Sequence, residues 1–304
     1  MLTTWLTEQF DITVPVVSAP MAGVSGGRLA AAVSAAGGLG MVGIGYEPAA
    51  TVAAEAATAR AGGRPFGIGL IAWVAESRPD LVEAAIEARP ALLTLSFGAY
   101  AHHVAAARDA GIVVATQAGT VDDAKRAVDA GVDLVVARGA EGGGHGRGDV
   151  ATLPLLQAVL DAVDVPVLAA GGIATARGLA AVVAAGAAGA LVGTAFLACP
   201  EGLNQPAARQ AIVAAGETDT IYTTVLDIGR GIPWPSEYGG RALRNSFAEK
   251  WHGREDELRA EGERADEAAV WAGQAVGLVR HERPAAEVVA DFAGAETLLR
   301  RSAT

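Results

Sequence analysis

The sequence is poor in several residues on which common chemistries depend. Its single cysteine, Cys199, excludes an intrachain disulfide. Its two lysines, Lys125 and Lys250, both lie away from the ends of the expected strands. That disfavours a Schiff base, and with it pyridoxal phosphate and aldolase chemistry. No His/Asp/Glu cluster has the spacing of metal ligands, so no metal is expected; the adjacent His102 and His103 diverge and read as surface or helix-start residues. A Gly-x-Ser-x-Gly elbow is missing too. Positive charge is scarce: 23 Lys and Arg face 34 Asp and Glu, for a net charge of −11. Such a chain repels a phosphate backbone, which argues against a nucleic-acid partner. The first residues include Glu8 and Asp11, with no basic segment leading into an apolar core, so no secretory signal is read and a cytoplasmic location is expected. Residues 178–199 carry no charge and have the length of a membrane span. Alanine and glycine dominate them, however, and a helix followed by a buried parallel strand explains them better, so no membrane partner is expected.

What the chain does have is alanine, valine, leucine and 39 glycines, with 51% hydrophobic residues over a length of 304. That mixture suits an α/β protein with many tight turns, in one large or two smaller domains. Eight short apolar runs recur: Val14–Ala19, Leu39–Gly43, Phe66–Leu70, Leu92–Ser96, Ile112–Thr116, Leu134–Ala137, Val165–Ala169 and Ala190–Val192. Apolar stripes at helical spacing lie between them, as at Leu29, Ala32, Val33 and Ala36, and several are closed by glycine: Gly37, Gly131, Gly186. Alternation of this kind implies parallel strands joined by right-handed crossovers. Eight units predict a (β/α)8 TIM barrel. The rival open sheet needs Gly-x-Gly-x-x-Gly after its first strand, and this chain has Ser18-Ala19-Pro20-Met21-Ala22-Gly23 there. The barrel is expected over residues 1–200. A smaller, mainly helical cap on the substrate side is expected over 201–283, with residues 201–217 helical, 218–240 without clear period, and 244–264 a charged, solvated helix face. A C-terminal helix packing back on the barrel is expected over 284–304.

Three stretches carry chemistry. Residues 138–148 hold six glycines in eleven positions and one titratable ring, His145, directly after the sixth strand. In a barrel this loop sits on the active-site face. Ala170-Gly171-Gly172 follows the seventh strand, and Thr175 is placed to cap the next helix. Gly193-Thr194 ends the eighth strand before a possible short helix at Ala195–Ala198. Glycine loops after strands seven and eight form the barrel's usual phosphate site. A phosphate anchor, a flat glycine-lined space and one histidine suit FMN. Pro20, Met21 and Ala22 after the first strand and Gln117 after the fifth fall at the same end.

These residues resemble the nitronate monooxygenase family, formerly called 2-nitropropane dioxygenases. Ala19-Pro20-Met21-Ala22-Gly23 and Ala35-Ala36-Gly37-Gly38-Leu39-Gly40 are similar to its opening, and Pro65-Phe66-Gly67-Ile68-Gly69-Leu70 to its third strand. Residues 137–146 are similar to its histidine loop; 170–174 and 191–196 to its FMN phosphate loops; Arg244-Asn245 and Trp271-Ala272-Gly273-Gln274 to its C-terminal portion. The resemblance implies non-covalent FMN held by Pro20, Met21, Ala22, Gly69, Gln117, Arg138, Gly143, Gly144, Ala170, Gly171, Gly172, Val192, Gly193 and Thr194. It implies His145 as active-site base, small-molecule nitronates or nitroalkanes and O2 as substrates, a carbonyl compound and nitrite as products, and a possible homodimer. Three positions depart from the family pattern: Arg138 stands for a glutamine, Gly142 for an alanine, and Gly69 for an asparagine. Arg138 is read either as stabilising a reduced, anionic flavin or as pairing with Glu141. Two other functions stay open: an FMN-dependent NAD(P)H reductase of quinone or enoyl-acyl-carrier-protein type, and a non-catalytic FMN- or phosphate-binding protein.

Overall fold

The computed structural model describes residues 2–265 and 269–302. Residues 266–268, within the expected cap, and 303–304, at the end of the expected last helix, lie outside the described residues. Nine strands precede residue 200: β1 Val16–Ser18, β2 Gly40–Ile44, β3 Phe66–Ile71, β4 Leu92–Ser96, β5 Val113–Ala118, β6 Leu134–Arg138, β7 Gly144–His145, β8 Val167–Ala170 and β9 Gly189–Val192. All but β7 form one parallel sheet, in the order β1-β9-β8-β6-β5-β4-β3-β2. The ring closes between β1 and the start of β2: Ser18 N–H donates to Leu39 O and Leu39 N–H to Val16 O, both at 2.9 Å. The chain is therefore a (β/α)8 barrel, and the eight apolar runs are its staves.

Alternation along each stave sorts its side chains. Leu134 and Val136 on β6 and Leu168 and Ala170 on β8 join the interior cluster, while Val135, Ala137, Val167 and Ala169 pack outward against the helices. The N-terminal helix Trp5–Phe10 adds Leu6 and Phe10 to the interior cluster, beside the start of β9. It plugs the end where the strands begin. The other end is left open for ligands.

The uncharged run 178–199 divides into the end of helix Ala176–Ala184, β9 and a 3-10 turn, Thr194–Phe196. No helix among the described residues is long and apolar enough to cross a membrane.

Beyond residue 200 the structure differs in detail from the expectations. Helix occupies Pro206–Ala214 rather than all of 201–217. The aperiodic stretch contains β10 Thr220–Thr223 and helix Val225–Arg230, and β11 Gly240–Leu243 follows. β10, β11 and β7 form a small antiparallel sheet. The sequence pattern misses it because its longest strands have four residues, too few to show a period. The charged stretch makes two short helices, Ser246–Trp251 and Glu255–Glu261, which bury Trp251 and Leu258 against Val225, Leu226 and Ala242. The last helix is two, Ala285–Ala293 and Ala295–Ser302, meeting at Gly294 and packing on the barrel helices Gly27–Ala35 and Ala176–Ala184.

Candidate active site

β6 delivers the chain to the open end and Arg138 is its last residue. Only glycine fits next: a Cβ on Gly139 would lie 2.3 Å from Thr152. The loop then folds around Arg138. Its Nη2 donates to the carbonyls of Gly142, Gly143 and Gly144 at 3.0, 3.1 and 2.8 Å. Of the two roles foreseen for Arg138, pairing with Glu141 is not the one found. The Glu141 carboxylate instead accepts from the N–H and hydroxyl of Thr152, at 2.7 and 2.6 Å. Burial lowers the Arg138 pKa to about 10, which leaves the guanidinium cationic at neutral pH.

The loop is tied to the small sheet as firmly as to the barrel. His145 and Gly144 form β7 and pair with Gly240 and Arg241. Tyr222 on β10 donates its hydroxyl to Gly146 O at 2.8 Å. This pairing brings His145 to Asp227, with Nε2 and Oδ2 at 2.8 Å. Asp227 is buried in helix Val225–Arg230, and its Oδ1 has no hydrogen-bond partner among the described residues. An ionised carboxylate there accepts from Nε2–H, and in the neutral imidazole Nδ1 is then the acceptor. Nδ1 has no protein partner among the described residues. The ring lies flat on Trp234, centroids 3.6 Å apart and 5° between planes, with Trp271 at 4.5 Å. Trp73, Phe97 and Tyr238 continue the aromatic wall. Tyr46 belongs to it too, its phenol pushed up to about 12 by burial and by the charge of Asp227.

A cavity of about 850 Å³ opens at this end of the barrel. Pro20, Met21, Ala22, Gln117, Arg138, Gly143, Gly144, His145, Ala170, Gly171, Gly172, Gly193 and Thr194 all line it. Gly69 and Val192 do not. Gly69 lies under Pro20, whose ring a Cβ would meet at 2.3 Å, so its smallness seats the first loop. Val192 packs outward in the barrel–helix core. Gly171 and Gly172 take φ of +106° and +73°, a conformation glycine tolerates. The N–H groups of Gly171, Gly172 and Gly193 find no acceptor among the described residues. Three free donors around two turns suit a phosphate. Thr175 caps the helix behind them, accepting from Gly178 N–H at 3.4 Å. His102 and His103 sit in the first turn of helix Ala101–Asp109, as expected, but their rings do not diverge: the centroids lie 3.8 Å apart.

Sequence reasoning missed Asp227, Trp234 and Tyr46. A signal did exist for Trp234. It stands between Pro233 and Pro235, where no helix or central strand can bury it.

The sequence matches the family model of nitronate monooxygenase over residues 3–88 and 73–294. It is 31% identical to a nitronate monooxygenase of Neurospora crassa, over 91% of this chain and 87% of that one. It is 36% identical to a (3aS,4S,5R,7aS)-5-hydroxy-7a-methyl-1-oxo-octahydro-1H-indene-4-carboxyl-CoA dehydrogenase of Rhodococcus jostii, over 74% of this chain but only 64% of that relative's length. The solved structure of FabK from Thermotoga maritima superposes with a TM-score of 0.88 at 30% identity, covering 100% of this chain and 99% of that one. Barrel, cavity and sequence thus agree, and the chain belongs to the nitronate monooxygenase family of FMN-dependent oxidoreductases.

Proposed function

We propose that the cavity holds FMN and that the enzyme oxidises alkyl nitronates with O2 to a carbonyl compound and nitrite. One observation carries this reading: free backbone donors at Gly171, Gly172 and Gly193 line the same cavity as the His145–Asp227 pair. The donors take the phosphate. Pro20, Met21, Gln117 and Arg138, from three other strand ends, bound the space left for a flat ring. Bound FMN supplies the electron transfer. The protein's own part is proton management and orientation. Asp227 holds Nε2–H, so His145 takes a proton from the carbon of a neutral nitroalkane at Nδ1. Trp234 and Trp271 keep water from the ring and fix its plane.

A second reading has support of its own. The same cavity is also lined by the apolar side chains of Val24, Leu203, Ala207, Ala208 and Ala211. It suits a bulkier carbon skeleton handled by an NAD(P)H-dependent reductase.

Anaerobic titration of the yellow protein separates the two. Propionate 3-nitronate is expected to change the flavin spectrum, and NADH or NADPH to leave it unchanged. Rapid bleaching by a pyridine nucleotide, with no response to the nitronate, would overturn the oxidase reading.

A further inference from the structure

Arg138 is the one buried arginine or lysine among the described residues. It also has no carboxylate partner among them. Glu141 is spent on Thr152, Asp123 on Arg126 and Arg147, and Asp227 on His145. Its own bonds go to neutral carbonyls: three to Nη2 and, at 3.5 Å, Arg147 O to Nη1. The charge of Arg241, which acts on it, has the same sign. An unpaired buried cation is costly to a fold. Holding a glycine loop together does not require one, since a neutral amide also donates to carbonyls. Arg138 also lines the cavity, and its strand β6 lies between β5, which carries Gln117, and β8, which leads into the Gly171–Gly172 turn.

We infer that Arg138 is a permanent counter-charge for the cofactor, stabilising the negative charge that the flavin pyrimidine ring carries once reduced. The inference rests on the FMN reading above. Two-electron reduction with uptake of one proton leaves the ring one negative charge richer. A fixed cation beside that charge makes reduction easier and raises the midpoint potential. The loop is shaped to admit the group. A Cβ on Gly142 would lie 3.2 Å from Arg138 Cζ and Nε, and one on Gly146 would lie 2.2 Å from Nη1. The departures at 138 and 142 thus go together: a methyl at 142 would press on the guanidinium.

The test uses the FMN-loaded protein and its Arg138→Gln and Arg138→Lys variants. Potentials come from dithionite titration, and charge stabilisation from the affinity for sulfite, which adds to oxidised flavin and leaves the same negative charge. Arg138→Gln is expected to weaken sulfite binding at least tenfold. Its two-electron potential should fall by the equivalent, about 30 mV or more. Arg138→Lys should lie closer to the parent on both measures. Should Arg138→Gln fail to fold, Arg138→Gln/Gly142→Ala refills the space and is read in its place. Unchanged potential and sulfite affinity without the cation, or equal shifts in the glutamine and lysine variants, reduce Arg138 to a loop staple. In that case FMN binding itself stands. A chain that takes up no FMN overturns both readings.

Discussion

The barrel and the small sheet beyond it contribute opposite halves of one site. Barrel strands β8 and β9 end in glycine turns that line the cavity, with N–H groups that find no acceptor among the described residues. The later segment supplies Asp227 and Trp234, which have no phosphate-binding role but set the proton position and plane of His145. The histidine is on a barrel loop yet pairs in the other sheet. On the proposed function, cofactor retention and proton transfer would therefore be separable, because they would rest on different parts of the chain.

Substitutions can break that separation or sharpen it. The largest effect is expected for His145→Asn. FMN should stay bound, while turnover of neutral nitroalkanes falls on the order of 10²–10⁴-fold. Preformed nitronates, which need no deprotonation, should be affected far less. Equal loss on both substrates removes the base role. Asp227→Asn should follow, with a loss of roughly ten- to a hundredfold on neutral nitroalkanes. Here the imidazole keeps a hydrogen-bond partner but no longer a charged one. ¹⁵N shifts of His145 check the cause: a Nε2–H tautomer in the parent and a mixture in the variant. An Nδ1–H tautomer in the parent would count against the geometry. Gly171→Ala acts on the other half. Its φ of +106° and the 2.7 Å approach of a Cβ to Thr152 Oγ1 make alanine strained there. A stability loss of about 1–3 kcal/mol is expected, with at least tenfold weaker FMN binding in a fluorescence titration and the His145 tautomer unchanged. Thr175→Ala should be smallest, costing about 1 kcal/mol in denaturant unfolding as a lost helix cap. Any larger fall in FMN affinity than Gly171→Ala produces would mean that the helix, not the turns, grips the phosphate.

The staves were legible because each is a short run of residues buried on both faces. A glycine with positive φ closes several of the helices between them, as at Gly37, Gly131 and Gly186. The glycine turn at 171–172 was legible for another reason: double glycine announces exposed backbone, and its N–H groups find no acceptor among the described residues. Gly69 and Val192 were placed in the pocket by resemblance, but the structure seats one beneath Pro20 and the other in the core. Arg138 was legible as an oddity and not as a buried, unpaired charge. Partnership is a property of space.

Local chain chemistry, then, was enough to determine the barrel, the end at which it opens and the histidine that lines the opening. Burial patterns and turn conformations involve neighbours a few residues apart, so a linear reading can recover them. Only the tertiary structure decided which nitrogen of His145 is held, since Asp227 lies 82 residues away and arrives through β7, β10 and β11. It also decided that Arg138 has no carboxylate partner among the described residues, with Glu141 held by Thr152, Asp123 by Arg126 and Arg147, and Asp227 by His145.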